Sequence, residues 1–324
     1  MNVTILSIRD LKVHFKIKDN QSLFQKKVVK AVDGISFNVL TGETLGIVGE
    51  SGCGKTTTGR AIVCLERPTE GQILFRNKNI LSHSNEERFA YKHEVQMIFQ
   101  DTYSTLDPRY TIGASIAEPL VIHKRGNSNE RKKRVLQLMN DVGLAGAYYN
   151  QYPNELSGGQ RQRIGVARAL ALNPTLIICD EPISALDVSI QAQILNLLQD
   201  LQEKYELTYV FISHNLSVVK HLCNRIAVMY LGNIVELAGY KDIYSKPLHP
   251  YTQALINAIP IPDPRFRKKR ELLEGDVPSP INPPTGCPFV TRCMYATEQC
   301  SEERPKLIEI MPDHQVACYL HSAR

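Results

Sequence analysis

The chain has 324 residues, of which 43% are apolar and 22% charged, and it carries a formal net charge of +5 at pH 7. This balance excludes a disordered or fibrous chain and predicts a globular protein with a sizeable core. The basic excess is small and spread along the sequence, so it does not indicate a nucleic-acid partner. No apolar run approaches the ~20 residues of a membrane span, and the N-terminus alternates like a strand, so we expect a cytoplasmic chain.

The first predicted elements are strands. Apolar residues alternate between Ile5 and Lys16, and a second strand pattern covers Lys30 to Val39, with Asp33 and Gly34 as turn residues. Phe15 in the first of them allows two interpretations. It could pack in the core, which the pattern alone favours, or it could stack on a purine base.

Residues 49–57, GESGCGKTT, fit the phosphate-binding loop pattern G-x-x-x-x-G-K-[ST] at every fixed position. The glycines let successive backbone N–H groups point at phosphate oxygens, and the following helix adds its positive dipole end. Lys55 would reach the β- and γ-phosphates, and the Thr56 hydroxyl would bind the bridging Mg²⁺. The pattern predicts a nucleotide-binding loop made of Gly49, Glu50, Ser51, Gly52, Cys53, Gly54, Lys55, Thr56 and Thr57.

A buried strand from Val95 to Phe99 ends at Gln100. Ligands of α/β sheets lie at the carboxyl ends of strands, so Gln100 is a candidate ligand-binding residue. An exposed loop glutamine is the alternative, and Gln100 taken alone favours it.

Residues 101–155 are first broken by prolines and then helical. One helical face is apolar and contains Val135, Leu138, Met139 and Val142. This pattern predicts a helical subdomain.

The segment LSGGQ, residues 156–160, opens the next predicted helix. Ser157 is a suitable N-cap. Paired glycines at a helix start cost stability, so a close approach to phosphate explains Gly158 and Gly159 better than capping does.

The buried strand Thr175 to Cys179 is followed directly by Asp180 and Glu181. Two carboxylates at the end of an apolar strand are costly unless a cation or a reaction uses them. Asp180 would hold Mg²⁺ through water, and Glu181 would polarise the attacking water.

A second pair of candidates follows. Asp187 ends the turn into a helix predicted over Val188 to Lys204, and His214 follows the strand Thr208 to Ile212. A lone histidine is more often structural than catalytic. His214 is favoured as catalytic because the other phosphate-handling candidates also lie at the carboxyl ends of strands.

Beyond Leu255 the chain is rich in proline and basic residues, which predicts a linker, and then come four clustered cysteines. The segment has too few apolar residues for its own core, so it needs a disulfide or a bound metal to hold its fold. Cytosolic thiols stay reduced, which favours a metal over disulfides. Zinc prefers closer cysteine pairs, so an iron–sulfur cluster is favoured, with His314 and His321 as possible substitutes for Cys287, Cys293, Cys300 and Cys318. Because a long linker separates this tail from the phosphate-binding loop, we expect the metal to serve folding.

Together, GESGCGKTT, Gln100, LSGGQ, TLIICDE, SALD and His214 resemble, in this order and spacing, the nucleotide-binding subunit of ATP-binding cassette (ABC) transporters, over about residues 5–240. The resemblance implies an α/β P-loop ATPase cassette with a mixed sheet and a helical subdomain. It also implies that two cassettes pair head to tail around two ATP molecules, each held by one subunit's P-loop and the other's LSGGQ.

The roles implied by this resemblance are specific to single residues. Phe15 would stack on adenine, and Gln100 would be the Q-loop residue and a Mg²⁺ ligand beside Thr56 and Asp180. Catalysis would fall to Lys55, Glu181 and His214. ATP of the partner cassette would be contacted by Ser157, Gly158, Gly159 and Gln160. Asp180 and Glu181 would be the Walker B pair, and Asp187 would be the D-loop aspartate, counted among the nucleotide-binding residues.

A narrower resemblance rests on AVDGISF, DTYSTLDPR, SKPLHPYTQAL and the cysteine-bearing end, which are similar to ATP-binding subunits of oligopeptide and dipeptide importers. It implies two membrane subunits, a second similar ATPase (a heterodimer, or else a homodimer), an extracytoplasmic binding protein, and a place at the cytoplasmic face of the membrane. It also implies a [4Fe–4S] cluster in preference to Zn²⁺. Nickel importers of the same subfamily are the alternative, and a soluble ABC ATPase acting on DNA or ribosomes is the rival class.

The expected organisation is a nucleotide-binding domain over residues 1–255, with its helical subdomain at about 101–172. A linker and a small C-terminal cysteine-rich metal-cluster domain would occupy residues 256–324.

Overall fold

A computed structural model describes residues 3–18, 26–101, 105–259 and 275–321. The chain divides into two compact units. The predicted basic linker at residues 260–274 lies outside the described residues. The first unit comprises Met1–Val3, Leu40–Glu43 and Ser82–Phe211, and the second comprises Thr4–Val39, Thr44–Leu81 and Ile212–Arg324.

The second unit begins with the N-terminal elements. In chain order they are β1 (Thr4–Lys18), β2 (Lys26–Leu40), β3 (Thr44–Val48), α1 (Lys55–Ile62), β4 (Glu70–Phe75) and β5 (Lys78–Asn79). Four of these strands form a sheet in the order β2-β1-β4-β5. Strand β3 is buried along its whole length, as its apolar sequence TLGIV requires, and it leads directly into the phosphate-binding loop.

The helices and strands of the first unit follow. They are α2 (Asn85–Glu94), β6 (Val95–Ile98), α3 (Ile112–Ile122), α4 (Ser128–Asp141), α5 (Gly158–Leu170), β7 (Leu176–Asp180), α6 (Val188–Tyr205) and β8 (Thr208–Ser213). The strands lie in the order β8-β7-β6, and β6 runs parallel to β7. The predicted apolar face around Val135 and Leu138 is fully buried, which confirms this helix.

The chain then returns to the second unit. Its remaining elements are α7 (Leu216–Leu222), β9 (Arg225–Tyr230), β10 (Asn233–Gly239), α8 (Tyr240–Ser245), α9 (Pro250–Asn257), α10 (Glu298–Glu302), β11 (Ile308–Met311) and β12 (His314–Val316). The strand order is β11-β12-β10-β9-β3. Strands β3 and β9 are parallel and the other pairs antiparallel, so this sheet is mixed, as the resemblance implied.

The cysteine-bearing tail, described over residues 275–321, does not stand apart from the cassette. Strand β12 pairs with β10, and the fully buried ring of Phe289 packs on the rings of Tyr230 and Tyr251. The tail also reaches the phosphate-binding loop, since the Arg292 guanidinium lies 2.9 Å from the Glu50 carboxylate, so the expectation that a linker keeps the two apart is wrong. The tail uses the core of the second unit, which is why its own apolar content can be low.

No helix within the described ranges is long and apolar enough to cross a membrane.

Candidate functional site

The phosphate-binding loop lies between β3 and α1, as predicted. Gly54 caps α1 in the left-handed conformation, with φ of 104°. A methyl group at Gly54 would lie 2.1 Å from the Ala31 carbonyl oxygen, and one at Gly49 would lie 2.1 Å from that of Met229. Neighbouring backbone therefore demands glycine at both positions, which the motif pattern alone does not reveal.

Lys55 is 4% exposed, and its ammonium group lies inside the curl of the loop. The Nζ atom donates to the carbonyl oxygens of Gly49 and Glu50, both at 2.9 Å. Burial raises the pKa of the adjacent Cys53 thiol, so this cysteine is a small apolar residue of the loop. The loop thus presents a fixed cation beside the start of a helix, which suits a polyphosphate.

Glu50 is fixed by two residues that the sequence analysis missed. Its backbone N–H donates to the Tyr251 hydroxyl at 3.0 Å, and its carboxylate accepts from the Arg292 guanidinium at 2.9 and 3.3 Å. Because 242 positions separate Glu50 from Arg292, no local pattern could reveal the pair.

Phe15 and His214 also belong to the second unit. Phe15 is 36% exposed, so its interpretation as a core residue is wrong; β1 leaves its ring accessible. Stacking on adenine stays a prediction. His214 is exposed and directly follows β8.

In the first unit, Gln100 and Glu181 lie together. Gln100 Nε2 donates to Glu181 Oε2 at 3.0 Å. Glu181 has a φ of 45°, an uncommon conformation for a residue with a side chain, and its carbonyl oxygen accepts from the Ser184 amide. The buried Asp180 precedes it at the end of β7. Gln100 is thus exposed but engaged with the candidate catalytic carboxylate.

The LSGGQ segment starts α5 with a capping box. Ser157 Oγ accepts from the Gln160 amide, and Gln160 Oε1 accepts from the Ser157 amide. The predicted capping role of Ser157 is confirmed. A methyl group at Gly159 would lie 2.8 Å from Ile190 Cγ2, so packing against α6 contributes to the choice of glycine there. Asp187, exposed, is the N-cap residue of α6.

The candidate residues therefore divide between the units. Residues 49–57, Phe15 and His214 lie in the second unit, while Gln100, LSGGQ, Asp180, Glu181 and Asp187 lie in the first.

The four tail cysteines are free thiols that influence one another. Burial raises the pKa of the Cys287 thiol to about 11, and the neighbouring thiols of the tail add to this effect. Burial also raises the pKa of the Cys318 thiol to about 11, and the Cys293 and Cys300 thiols contribute. No group of three or more His, Cys, Asp or Glu residues in the described ranges is arranged to hold a metal ion. The four thiols are close enough to influence one another's pKa, but within the described residues they are not arranged as a metal site.

Comparisons with known proteins agree with the site. The family model described as "ABC transporter" matches residues 32–184. The model described as "Oligopeptide/dipeptide transporter, C-terminal region" matches residues 235–300.

Curated relatives align over nearly the whole chain. The oligopeptide transport ATP-binding protein AppF of Bacillus subtilis is 53% identical over 98% of this chain and 98% of its own. OppF of Escherichia coli, with the same description, is 53% identical over 97% of this chain and 95% of its own. The dipeptide transport ATP-binding protein DppF of Haemophilus influenzae is 46% identical over 98% of this chain and 97% of its own.

Among solved structures, the dimeric post-hydrolysis state of the ATP-binding cassette MJ0796, bound to ADP and Pi, superposes with a TM-score of 0.65. It is 30% identical and covers 72% of this chain and 98% of that one.

Proposed function

The chain belongs to the ATP-binding subunits of oligopeptide and dipeptide ABC transporters, and from this premise we propose that it hydrolyses ATP to drive the import of peptides. The observation that carries the proposal is the curled loop between β3 and α1, which holds the buried Lys55 ammonium beside a helix start. That arrangement binds the phosphates of a nucleotide.

The loop and several residues outside it would each contact a different part of MgATP. Backbone N–H groups of residues 49–57 would cradle the phosphates, and Lys55 would exchange its bonds to loop carbonyls for the β- and γ-phosphate oxygens. Phe15, exposed on β1, would stack on adenine. Mg²⁺, held by Thr56, Gln100 and Asp180, would supply charge neutralisation at the phosphates; hydroxyl, amide and carboxylate oxygens are the donors it prefers.

Hydrolysis would rest on Glu181. Its carboxylate would polarise the attacking water, and its bond to Gln100 keeps that carboxylate oriented. His214 would contact the γ-phosphate and stabilise the charge that develops on transfer.

We propose that two cassettes act as a pair. The capping box of Ser157 fixes the start of α5, so Ser157, Gly158, Gly159, Gln160 and Asp187 would meet the ATP held by the partner cassette. The partner would be a second, similar ATPase, or else a second copy of this chain.

The assembly would lie at the cytoplasmic face of the membrane with two membrane subunits and an extracytoplasmic binding protein. The names of the relatives favour peptides over nickel as the cargo, and they favour a transporter over a soluble ATPase acting on DNA or ribosomes.

A second proposal concerns the organisation of the chain. Residues 1–255 would form the nucleotide-binding domain, with a helical subdomain at about 101–172. The tail, which packs on the core of the second unit, would be a small cysteine-rich region that binds [4Fe–4S], with Zn²⁺ as the alternative. Mutual influence among the thiols of Cys287, Cys293, Cys300 and Cys318 supports it. No group of three or more His, Cys, Asp or Glu side chains in the described ranges is arranged to hold a metal ion, so the four thiols would have to approach one another when the cluster binds.

The test is uptake by the transporter reconstituted in proteoliposomes. We expect ATP-dependent accumulation of labelled di- or oligopeptides, loss of both ATPase activity and uptake in Lys55→Met, and no loss in Lys133→Met, a matched control at an exposed position of α4. Accumulation of nickel without peptide, or activity that survives Lys55→Met, would contradict the proposal.

A further inference from the structure

All polar groups of Glu50, the second residue of the phosphate-binding loop, are engaged. Its N–H donates to the Tyr251 hydroxyl, its carbonyl accepts from Lys55, and its carboxylate accepts from Arg292. Two of these three contacts come from elements far along the chain: Tyr251 from α9 and Arg292 from the tail. The loop is thus held at its start by residues that are outside the motif.

The contact between the Arg292 guanidinium and the Glu50 carboxylate is bidentate. Nη1 lies 2.9 Å from Glu50 Oε2, and Nη2 lies 3.3 Å from Oε1. The Arg292 side chain is 7% exposed, and its guanidinium lies 5.9 Å from the centre of the Tyr230 ring. Only arginine offers this planar fork together with an aromatic contact, so lysine could not replace it without loss.

The backbone around Arg292 is held by the thiol-bearing segment. Arg292 ends a short turn whose amides bond back to Cys287 and Phe289, and Cys293 follows it directly. The buried Phe289 ring anchors this turn on Tyr230 and Tyr251. The position of the guanidinium therefore depends on the fold of the tail.

We infer that Arg292 is a positioning residue for ATP binding, through which the cysteine-bearing tail sets the shape and charge of the phosphate-binding loop. The inference rests on the proposed function, because it assigns a residue to the same nucleotide site.

Two physical effects connect the pair to nucleotide affinity. A loop whose first residues are already fixed loses less conformational freedom when the phosphates bind. The guanidinium also neutralises the Glu50 carboxylate, which would otherwise place a negative charge next to a polyanion. Loss of Arg292 removes both effects while leaving every residue of the motif in place.

The experiment measures the Kd of a fluorescent ATP analogue with Mg²⁺, using the full chain. We expect Arg292→Met to raise the Kd by about tenfold. The matched control is Arg304→Met, which also breaks a tail ion pair: Arg304 Nη1 lies 3.0 Å from Asp33 Oδ2, and its guanidinium hydrogen-bonds to Asp33 and Asn233, which are not residues of the loop. We expect its Kd to stay within about twofold of wild type.

A double-mutant cycle tests whether Arg292 acts through Glu50. In a Glu50→Ala background, Arg292→Met should have little further effect on Kd, because both acceptor oxygens of the Glu50 side chain are already removed. In steady-state ATPase assays of the assembled transporter, Arg292→Met should raise KM more than it lowers kcat. Unchanged Kd in Arg292→Met, equal losses in Arg292→Met and Arg304→Met, or additive effects in the cycle would overturn the inference.

Two further variants, Arg292→Lys and Lys55→Met, separate failure of the Arg292 inference from misfolding and from failure of the nucleotide site. If Arg292→Met does not fold, Arg292→Lys retains the charge without the fork, and it should still weaken binding measurably; wild-type affinity there would refute the role. Failure of the wild-type chain to bind the analogue, or full binding by Lys55→Met, would refute the nucleotide site itself. Loss in Lys55→Met with none in the Arg292 variants would refute the Arg292 inference alone.

Discussion

Replacing His314 with leucine tests how the tail is fastened to the cassette. His314 Nε2 donates to the buried carboxylate of Glu236 at 2.7 Å, and its Nδ1 atom is buried without a partner in the described structure. Nε2 is therefore the ring nitrogen that carries the proton given to the carboxylate. The Glu236 carboxylate also accepts hydrogen bonds from the backbone N–H groups of Leu248 and His249, at 2.7 and 2.9 Å.

The expected cost follows from those contacts. His314→Leu fills a similar volume but removes one of three donors from a buried charge, and hydrogen bonds to charged groups contribute about 1.5–3 kcal/mol. At roughly 2 °C per kcal/mol, thermal melting followed by circular dichroism should show a midpoint lowered by about 3–6 °C. The matched control is His321→Leu, which removes a hydrogen bond between His321 Nε2 and the neutral carbonyl of Leu248, at 2.9 Å, and should cost about 0.5–1.5 kcal/mol.

The pH dependence gives a second criterion. Burial alone would raise the pKa of Glu236, but the hydrogen bonds from His314 and the two amides outweigh it and hold the pKa below its ordinary value of 4.5. A lowered pKa in the folded state stabilises the protein above pH 4.5, and this stabilisation is lost as the pH falls through the folded-state pKa. The difference between wild type and His314→Leu should therefore narrow on acidification below 4.5. Equal losses in the two histidine variants at pH 7, or a difference that stays constant with pH, would refute the reasoning.

Three other changes have expected outcomes. Glu181→Gln should retain ATP binding but stall hydrolysis, with a loss of several kcal/mol of transition-state stabilisation, measured as single-turnover ATPase in the transporter; wild-type turnover would exclude Glu181 from catalysis. Gly54→Ala should abolish ATP binding and lower the melting midpoint, since its methyl group would lie 2.1 Å from a carbonyl oxygen; retained binding would show that the loop can shift. If the proposed cluster forms, anaerobically purified wild type should be brown and contain about four irons per chain, and Cys300→Ser should lose both the colour and the iron. Colourless wild type with one zinc per chain would overturn the cluster.

Much of the nucleotide site could be predicted because its signals are local. A buried strand, glycines at a turn and a helix start follow one another in the loop, and the Ser157 capping box lies within four residues. Backbone sterics and hydrogen bonding act over such distances, so the order of residues already indicates the geometry.

The failures came from contacts between distant parts of the chain. Asp33 and Gly34 predict a turn, yet β2 continues through them, since the Asp33 carboxylate is held by His14 at 3.0 Å and by Arg304 at 3.0 Å. Tertiary ion pairs thus override a local turn preference. The pairing of Arg292 with Glu50 escapes sequence analysis for the same reason.

The pairing of β12 with β10 also changes what the sheet offers to other chains. Strand β10, NIVELAG, is almost entirely buried, and an open edge on such a strand would invite another chain to add to it. The hairpin of β11 and β12 covers that edge and leaves the short, largely exposed β11, with Glu309 near its centre, as the outermost described strand. Removal of residues 308–316 should therefore convert a protected sheet into a template for aggregation.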